Sequence, residues 1–194
     1  MFLKNLEKYN IILASKSPRR QFLLKDLGIS YSILNTIEVN ETYPPTLPKE
    51  RISTYLAEKK ADAYRDLIND STLLITADTI VWFQNAVLGK PKNHDEAIFM
   101  LKSLSGNMHE VITGVCIKTL HKSITFKAST KVYFANLTNE EIVYYVNTYH
   151  PFDKAGSYGV QEFIGYIGIE RIEGSYFNVM GLPIHQLYKE LKKL

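Results

Sequence analysis

The stretch "IILASKSPRRQFLLKDLG", Ile11–Gly28, changes its hydrophobic rhythm once and abruptly. Ile11, Ile12, Leu13 and Ala14 form a short apolar run of the kind that builds a buried strand. Ser17 then suits an N-cap, and Pro18 suits the first helical position, where a missing N–H costs nothing. Phe22, Leu23, Leu24 and Leu27 follow as an apolar helical stripe, and Gly28 is a stop signal. The segment therefore predicts a strand that turns directly into a helix. That helix start gathers free N–H groups, the hydroxyls of Ser15 and Ser17, and the guanidinium groups of Arg19 and Arg20, all of which attract an anion. A well-capped surface helix with two solvated arginines is the alternative reading of the same residues.

Working outward, "YSILNT" reads as a second strand and "EVNETYPPTLPKE" as a polar loop. A helical pattern runs from about Lys49 to Asn69, with Ile52, Tyr55, Leu56, Ala63 and Leu67 on one face. "STLLITADTIVWF" is the strongest strand signal of the chain, "QNA" a turn, and "VLGKP" a returning segment. "NHDEAIFMLKSLSG" reads as a helix ending at Gly106. "HEVITGVCIKTL" and "SITFKASTKVYFANL" read as long strands joined in a hairpin at "HK". "TNEEIVYYVNTYH" is a helix capped by Thr138 and stopped before Pro151. The glycine-rich segment from Asp153 reads as short strands and turns, and a last helix spans about Pro183 to Leu194. Strands alternating with helices, then a hairpin, predict an α/β protein with a mixed sheet whose second half forms another lobe.

The 194 residues suffice for one large domain or two small lobes. Apolar residues make up 45% and charged residues 22%, the balance of a soluble globular protein. No apolar run reaches the length of a membrane span, and "MFLKNLEKYN" lacks the pattern of a signal peptide. A lone cysteine, Cys116, excludes an intrachain disulfide; it suits a reducing compartment, the cytoplasm by default, and a buried structural role. A net charge of +3 suits an anionic ligand but is too mild to indicate nucleic acid. The terminal "KELKKL" reads as the solvated face of a helix, and no basic stripe with interleaved aromatics supports single-strand binding.

Asp78 interrupts an apolar strand in "TADTIV", so it needs a cation or strong donors nearby. A strand-end aspartate satisfied by backbone groups is its other reading. Lys90, in "LGKP", can face the same point or be an ordinary turn lysine. Glu41 and Lys60, read alone, are solvated surface groups. "DKAGSYGVQ" sets Asp153, Lys154 and Gln161 among small residues, as a ligand loop or a tight structural turn. The five histidines show no metal-ligand spacing, and HExxH, CxxC, GxSxG and Walker motifs are absent. Residue types alone point toward phosphate chemistry with a hard cation and go no further.

Taken together, "LASKSPRRQFLL", "VNET", "LAEKKADA", "ITADTIV", "LGKP", "AIFMLKSLSGNMHEVITGV", "DKAGSYGVQ" and "IEGSYFNVMGLP" resemble, in order and over almost the whole chain, the Maf family of nucleoside triphosphate pyrophosphatases. The resemblance implies an α/β fold with a mixed, strongly twisted sheet and flanking helices. It would be elongated and two-lobed, like inosine triphosphate pyrophosphatases, as a single domain over 1–194 with a central cleft. It implies a cytoplasmic enzyme, often a homodimer, that splits a nucleoside triphosphate into a monophosphate and pyrophosphate with a divalent metal, Mg²⁺ or alternatively Mn²⁺. By motif, Ser15, Ser17, Arg19 and Arg20 would line the phosphate end. Glu41, Lys60, Asp78 and Lys90 would form the catalytic cluster, with Glu41 and Asp78 holding the metal and Asp78 accepting a proton. Arg19, Thr79 and Gln161 match the subgroup acting on dTTP and UTP, rather than the sister subgroup acting on 7-methyl-GTP. Gln161 is then expected to read the base, donating to a pyrimidine carbonyl and accepting from N3–H. Two lysines and a metal are expected to hold the Asp78 pKa low, favouring metal ligation over base catalysis. Lys16 and Asn40 depart from the family pattern, where glycine and aspartate are frequent. Hydrolysis of modified nucleotides, and non-catalytic regulation of cell division, are the competing functional readings; the expected partner is the nucleoside triphosphate, with no nucleic acid and no membrane.

Overall fold

The computed structural model describes residues 3–34 and 36–194. The strands are β1 (Asn10–Leu13), β2 (Ser32–Ile33), β3 (Thr72–Phe83), β4 (Ala86–Leu88), β5 (Met108–Lys118), β6 (Ser123–Phe134) and β7 (Ile169–Glu173). The helices are α1 (Pro18–Asp26), α2 (Lys49–Ala63), α3 (His94–Leu104), α4 (Asn139–Tyr149), α5 (Phe163–Gly168), α6 (Tyr176–Val179) and α7 (Ile184–Leu191). Among the described residues these seven strands form one sheet in the order β2-β1-β3-β5-β6-β7, with β4 pairing β3. β1 runs parallel to β2 and β3, whereas β4 pairs β3 and β7 pairs β6 antiparallel. The sheet is thus mixed and flanked by helices, as the alternation of patterns predicts.

The chain divides into two compact units that do not follow chain order. The first holds Met1–Asp78, Thr113–Ala128 and Gly181–Leu194, so the last helix belongs with the first strand. Its core includes Leu13, Leu24, Leu73 and Ile75, all fully buried. A seam of small residues lets α2 lie close to the sheet: Ala57 and Ala61 meet Ala14, Leu74 and Cys116. Gly114 on β5 extends that seam, because a Cβ there would stand 2.3 Å from the Ser53 carbonyl carbon of α2.

The second unit holds Thr79–Ile112 and Ser129–Met180. It begins with a tight β3–β4 hairpin whose turn residues Gln84 and Asn85 both take positive φ, 47° and 63°, as a primed turn requires. Its core includes Ala97, Leu101, Ile142 and Val146, and the rings of His109, Phe134 and Tyr158 meet edge to face. α4 opens on a capping box made by Thr138 and Glu141.

Several boundaries differ from the sequence expectation. The "YSILNT" strand shrinks to Ser32–Ile33, and its Asn35 lies outside the described residues. The helix expected to reach Asn69 stops at Ala63, because buried Tyr64 leaves helical geometry at ψ 8° and a 3-10 turn (Arg65–Leu67) follows. The glycine-rich segment contains α5 and α6, where strands and turns are expected. Gly165 explains the first: its hypothetical Cβ would lie 2.0 Å from the Val160 carbonyl oxygen, a close approach that only glycine permits. Among the described residues no helix is long and apolar enough to cross a membrane.

Candidate active site

The turn between β1 and α1 is built as the spacing of its serines predicts. Ser17 Oγ accepts the Arg20 N–H at 3.5 Å as the N-cap, and Pro18 follows at the first helical position. Buried Ser15 accepts the Ser17 N–H on its own Oγ at 3.2 Å, and its carbonyl accepts Gln21 Nε2 at 3.2 Å. Arg20 is bound to backbone: its Nε donates to Gly181 O and its Nη1 to Ala77 O, both at 2.8 Å. Arg19 is half-buried on the same turn, and Lys16 is exposed. Gly181 and Ala77 come from distant parts of the first unit, so Arg20 ties the helix start to the strand position just before Asp78.

Asp78 and Thr76 share one face of β3, because alternate residues of a strand do. Ala57 and Lys60, three apart, share one face of α2. The two faces interlock in register: Thr76 Oγ1 donates to Ala57 O at 2.7 Å, and Lys60 Nζ lies 2.5 Å from Asp78 Oδ1. The same ammonium reaches Glu41 Oε1 at 2.7 Å, so a loop, a helix and a strand converge on one cation. The two acids differ in wetness, with side-chain exposures of 10% for Asp78 and 44% for Glu41. Burial pushes the Asp78 pKa above the ordinary carboxylate range, and Lys60 and then Arg20 only partly pull it back. Without a bound metal, desolvation outweighs the neighbouring cations.

The remaining expected site residues lie in the second unit. Thr79 follows Asp78 along β3 and is half-buried, while Lys90 is exposed in the turn after β4. The Gly156 N–H donates to Gly89 O at 3.0 Å, which joins the "LGKP" and "DKAGSYGVQ" segments. Gly156 takes φ 68° with Val81 as close as 3.0 Å to its missing Cβ, so this turn both needs left-handed backbone and lacks room for a side chain. Lys154 is buried against Asp153 Oδ1 at 2.7 Å and Glu162 Oε1 at 3.2 Å. Gln161 Nε2 contacts Glu162 Oε1 at 3.5 Å, and the buried Gln161 Oε1 has no hydrogen-bond partner among the described residues.

A family model described as Maf-like protein matches residues 10–194. The chain belongs to the Maf family. It is 57% identical over 192 residues to a dTTP/UTP pyrophosphatase of Phocaeicola vulgatus, covering 99% of this chain and 100% of the relative. A dTTP/UTP pyrophosphatase of Bacteroides fragilis is 55% identical over the same length, again 99% and 100%. Among solved structures, a HAM1 protein from Coxiella burnetii is similar at 14% identity and a TM-score of 0.49, covering 96% of this chain and 100% of that one. Every residue that the Maf resemblance singles out lies inside the matched span.

Sequence reading missed three residues that shape this Maf chain. Thr76 sets the register of α2 on β3, and Glu162 with Tyr145 surrounds Lys154 and Gln161. Thr76 resembles any strand threonine, and Tyr145 any core aromatic. Glu162 alone carried a signal, an acid directly after Gln161 and before the apolar Phe163 and Ile164 in "GVQEFIG".

Proposed function

We propose that the chain hydrolyses dTTP and UTP to the nucleoside monophosphate and pyrophosphate. The observation that carries this reading is the Lys60 ammonium bonded at once to Glu41 and buried Asp78, in the unit that also holds the capped start of α1. Relatives more than half identical over nearly their whole length bear the name dTTP/UTP pyrophosphatase, which supports that pair of substrates.

In this reading the α1 N–H groups, the Ser15 and Ser17 hydroxyls, and Arg19 hold the polyphosphate; Arg20 fixes the turn and adds positive charge. A water oxygen bonds to the α-phosphorus as the bond from that phosphorus to the bridging oxygen breaks. Pyrophosphate leaves with the electron pair, and Asp78 takes the proton. Lys60 offsets the charge that builds on the phosphoryl oxygens.

Glu41 and Asp78 fit a hard divalent cation, because both carboxylates already converge on a single positive group. Mg²⁺ is commonly held by one or two carboxylates with phosphate oxygens and waters completing its shell. When bound it would polarise the α-phosphoryl group. A buried, unpaired Cys116 suits a reducing compartment such as the cytoplasm.

The test is pyrophosphate release from the purified protein, measured over a panel of normal and modified triphosphates with Mg²⁺ or Mn²⁺. Rapid turnover of dTTP and UTP, abolished by EDTA, is the expected result. Faster turnover of modified nucleotides would reassign the substrate, and no release from any triphosphate would overturn catalysis. Light scattering on the same sample checks for a homodimer, the assembly the family resemblance suggests.

A further inference from the structure

The loop that carries Gln161 is organised around a neighbouring carboxylate rather than around Gln161 itself. Glu162 Oε1 faces Lys154 Nζ at 3.2 Å and Gln161 Nε2 at 3.5 Å. Its other oxygen accepts a hydrogen bond from the Tyr145 hydroxyl. That hydroxyl in turn accepts the Gly159 N–H at 3.0 Å, so its proton is left for Glu162. Gly159 leaves room for the arrangement, since a Cβ there would stand 2.7 Å from the Glu162 carboxyl carbon.

An ionised carboxylate only accepts hydrogen bonds, whereas an amide has one donating and one accepting end. Of the two flips open to the Gln161 amide, only one satisfies Glu162: NH₂ toward the carboxylate, carbonyl oxygen away. The opposite flip would set two acceptors against each other. The oxygen so directed is buried and has no partner among the described residues, the state expected of a group kept for a ligand.

We propose that Glu162 is a positioning residue that locks the Gln161 amide with its carbonyl oxygen toward the base, so that the site selects bases presenting an N–H. The proposal rests on the reading of Gln161 as the base-recognising side chain. Uracil and thymine present N3–H, a donor; cytosine presents an unprotonated N3, an acceptor. Facing the locked carbonyl, the first pair gains a hydrogen bond and cytosine meets repulsion.

The test compares kcat/KM for UTP and CTP in the unmodified protein, Glu162→Gln and Gln161→Ala. A carboxamide at position 162 can face Gln161 with either end, which frees the flip. In Glu162→Gln, UTP efficiency is expected to fall while CTP efficiency rises, lowering the UTP-to-CTP ratio by about tenfold. A merely structural role would depress both nucleotides together and leave the ratio in place. If Gln161→Ala loses the ratio and a folded Glu162→Gln keeps it, positioning by Glu162 is overturned while base reading by Gln161 stands. If Gln161→Ala keeps the ratio, both ideas fall. Should circular dichroism show Glu162→Gln unfolded, Tyr145→Phe takes its place, keeping the ring and removing one donor to Glu162. A smaller drop of the ratio in the same direction then supports the lock, and an unchanged ratio overturns it.

Discussion

Asp78 illustrates how far a single residue can be read. A carboxylate within "LLITADTIVWF" has to find partners, and the interruption is visible in one dimension. The structure supplies Lys60 and, through the Ala77 carbonyl, the nearby guanidinium of Arg20. The depth at which Asp78 is buried was not legible, because the order of letters does not encode it. Replacing Asp78 by Asn removes the proposed proton acceptor while keeping shape. We expect kcat to fall by about 10²- to 10⁴-fold with a far smaller change in substrate affinity. Single-turnover kinetics beside equilibrium binding separates the two, and near-normal turnover would remove Asp78 from the mechanism. Lys60→Met should also lower kcat, and it leaves buried Asp78 without its closest counter-charge. Removing one partner of a buried pair costs about 3–5 kcal/mol, with partial exposure of Lys60 placing this case toward or below the low end. A denaturant melt reads that loss.

At the scale of elements, α2 is the part that makes the site. Its apolar spacing was readable, and so was the small-residue character of "LAEKKADA". What the alanines pack against was not, since Cys116 approaches from a strand far along the chain. Gly114 is the sharpest constraint on that packing. Gly114→Ala would drive a methyl group into the Ser53–Thr54 backbone, with separations of 2.3–2.4 Å to be relieved. Overpacking of this kind costs about 1–3 kcal/mol. Pushing α2 away from β5 also moves Lys60 from Asp78, so thermal stability and kcat should fall together. Unchanged melting with unchanged activity would mean that the seam is slack. The glycine-rich segment was misread for a related reason. Its glycines answer to close approaches, such as Gly165 against the Val160 carbonyl, and close approaches are three-dimensional facts.

At the scale of the whole molecule, alternating strands and helices were enough to predict a mixed α/β sheet. The grouping of the chain into units was not, because Gly181–Leu194 returns to the N-terminal unit. Global stability carries a titration that follows from the second unit. His109 is buried, shares a 2.6 Å hydrogen bond with the Tyr158 hydroxyl, and has no partner on Nδ1 among the described residues. Burial holds its pKa down at about 3, against 6.5 for an ordinary histidine. The folded chain therefore binds fewer protons than the unfolded chain between these values. This contribution is complete above about pH 6.5 and is lost as pH falls toward about 3, with a slope of at most about 1.4 kcal/mol per pH unit. Melting temperatures between pH 7 and pH 5 should drop more steeply for the unmodified protein than for His109→Phe. Parallel profiles would exclude His109 as the source.

The thiol under α2 gives the molecule a built-in stopwatch. Cys116 is the sole cysteine, is buried, and is held above its usual pKa chiefly by that burial. An alkylating reagent can therefore reach it only when the helix lifts from the strands, the same excursion that parts Lys60 from Asp78. The pace of labelling in native buffer counts those openings directly, and a bound triphosphate that clasps the two together should slow the count.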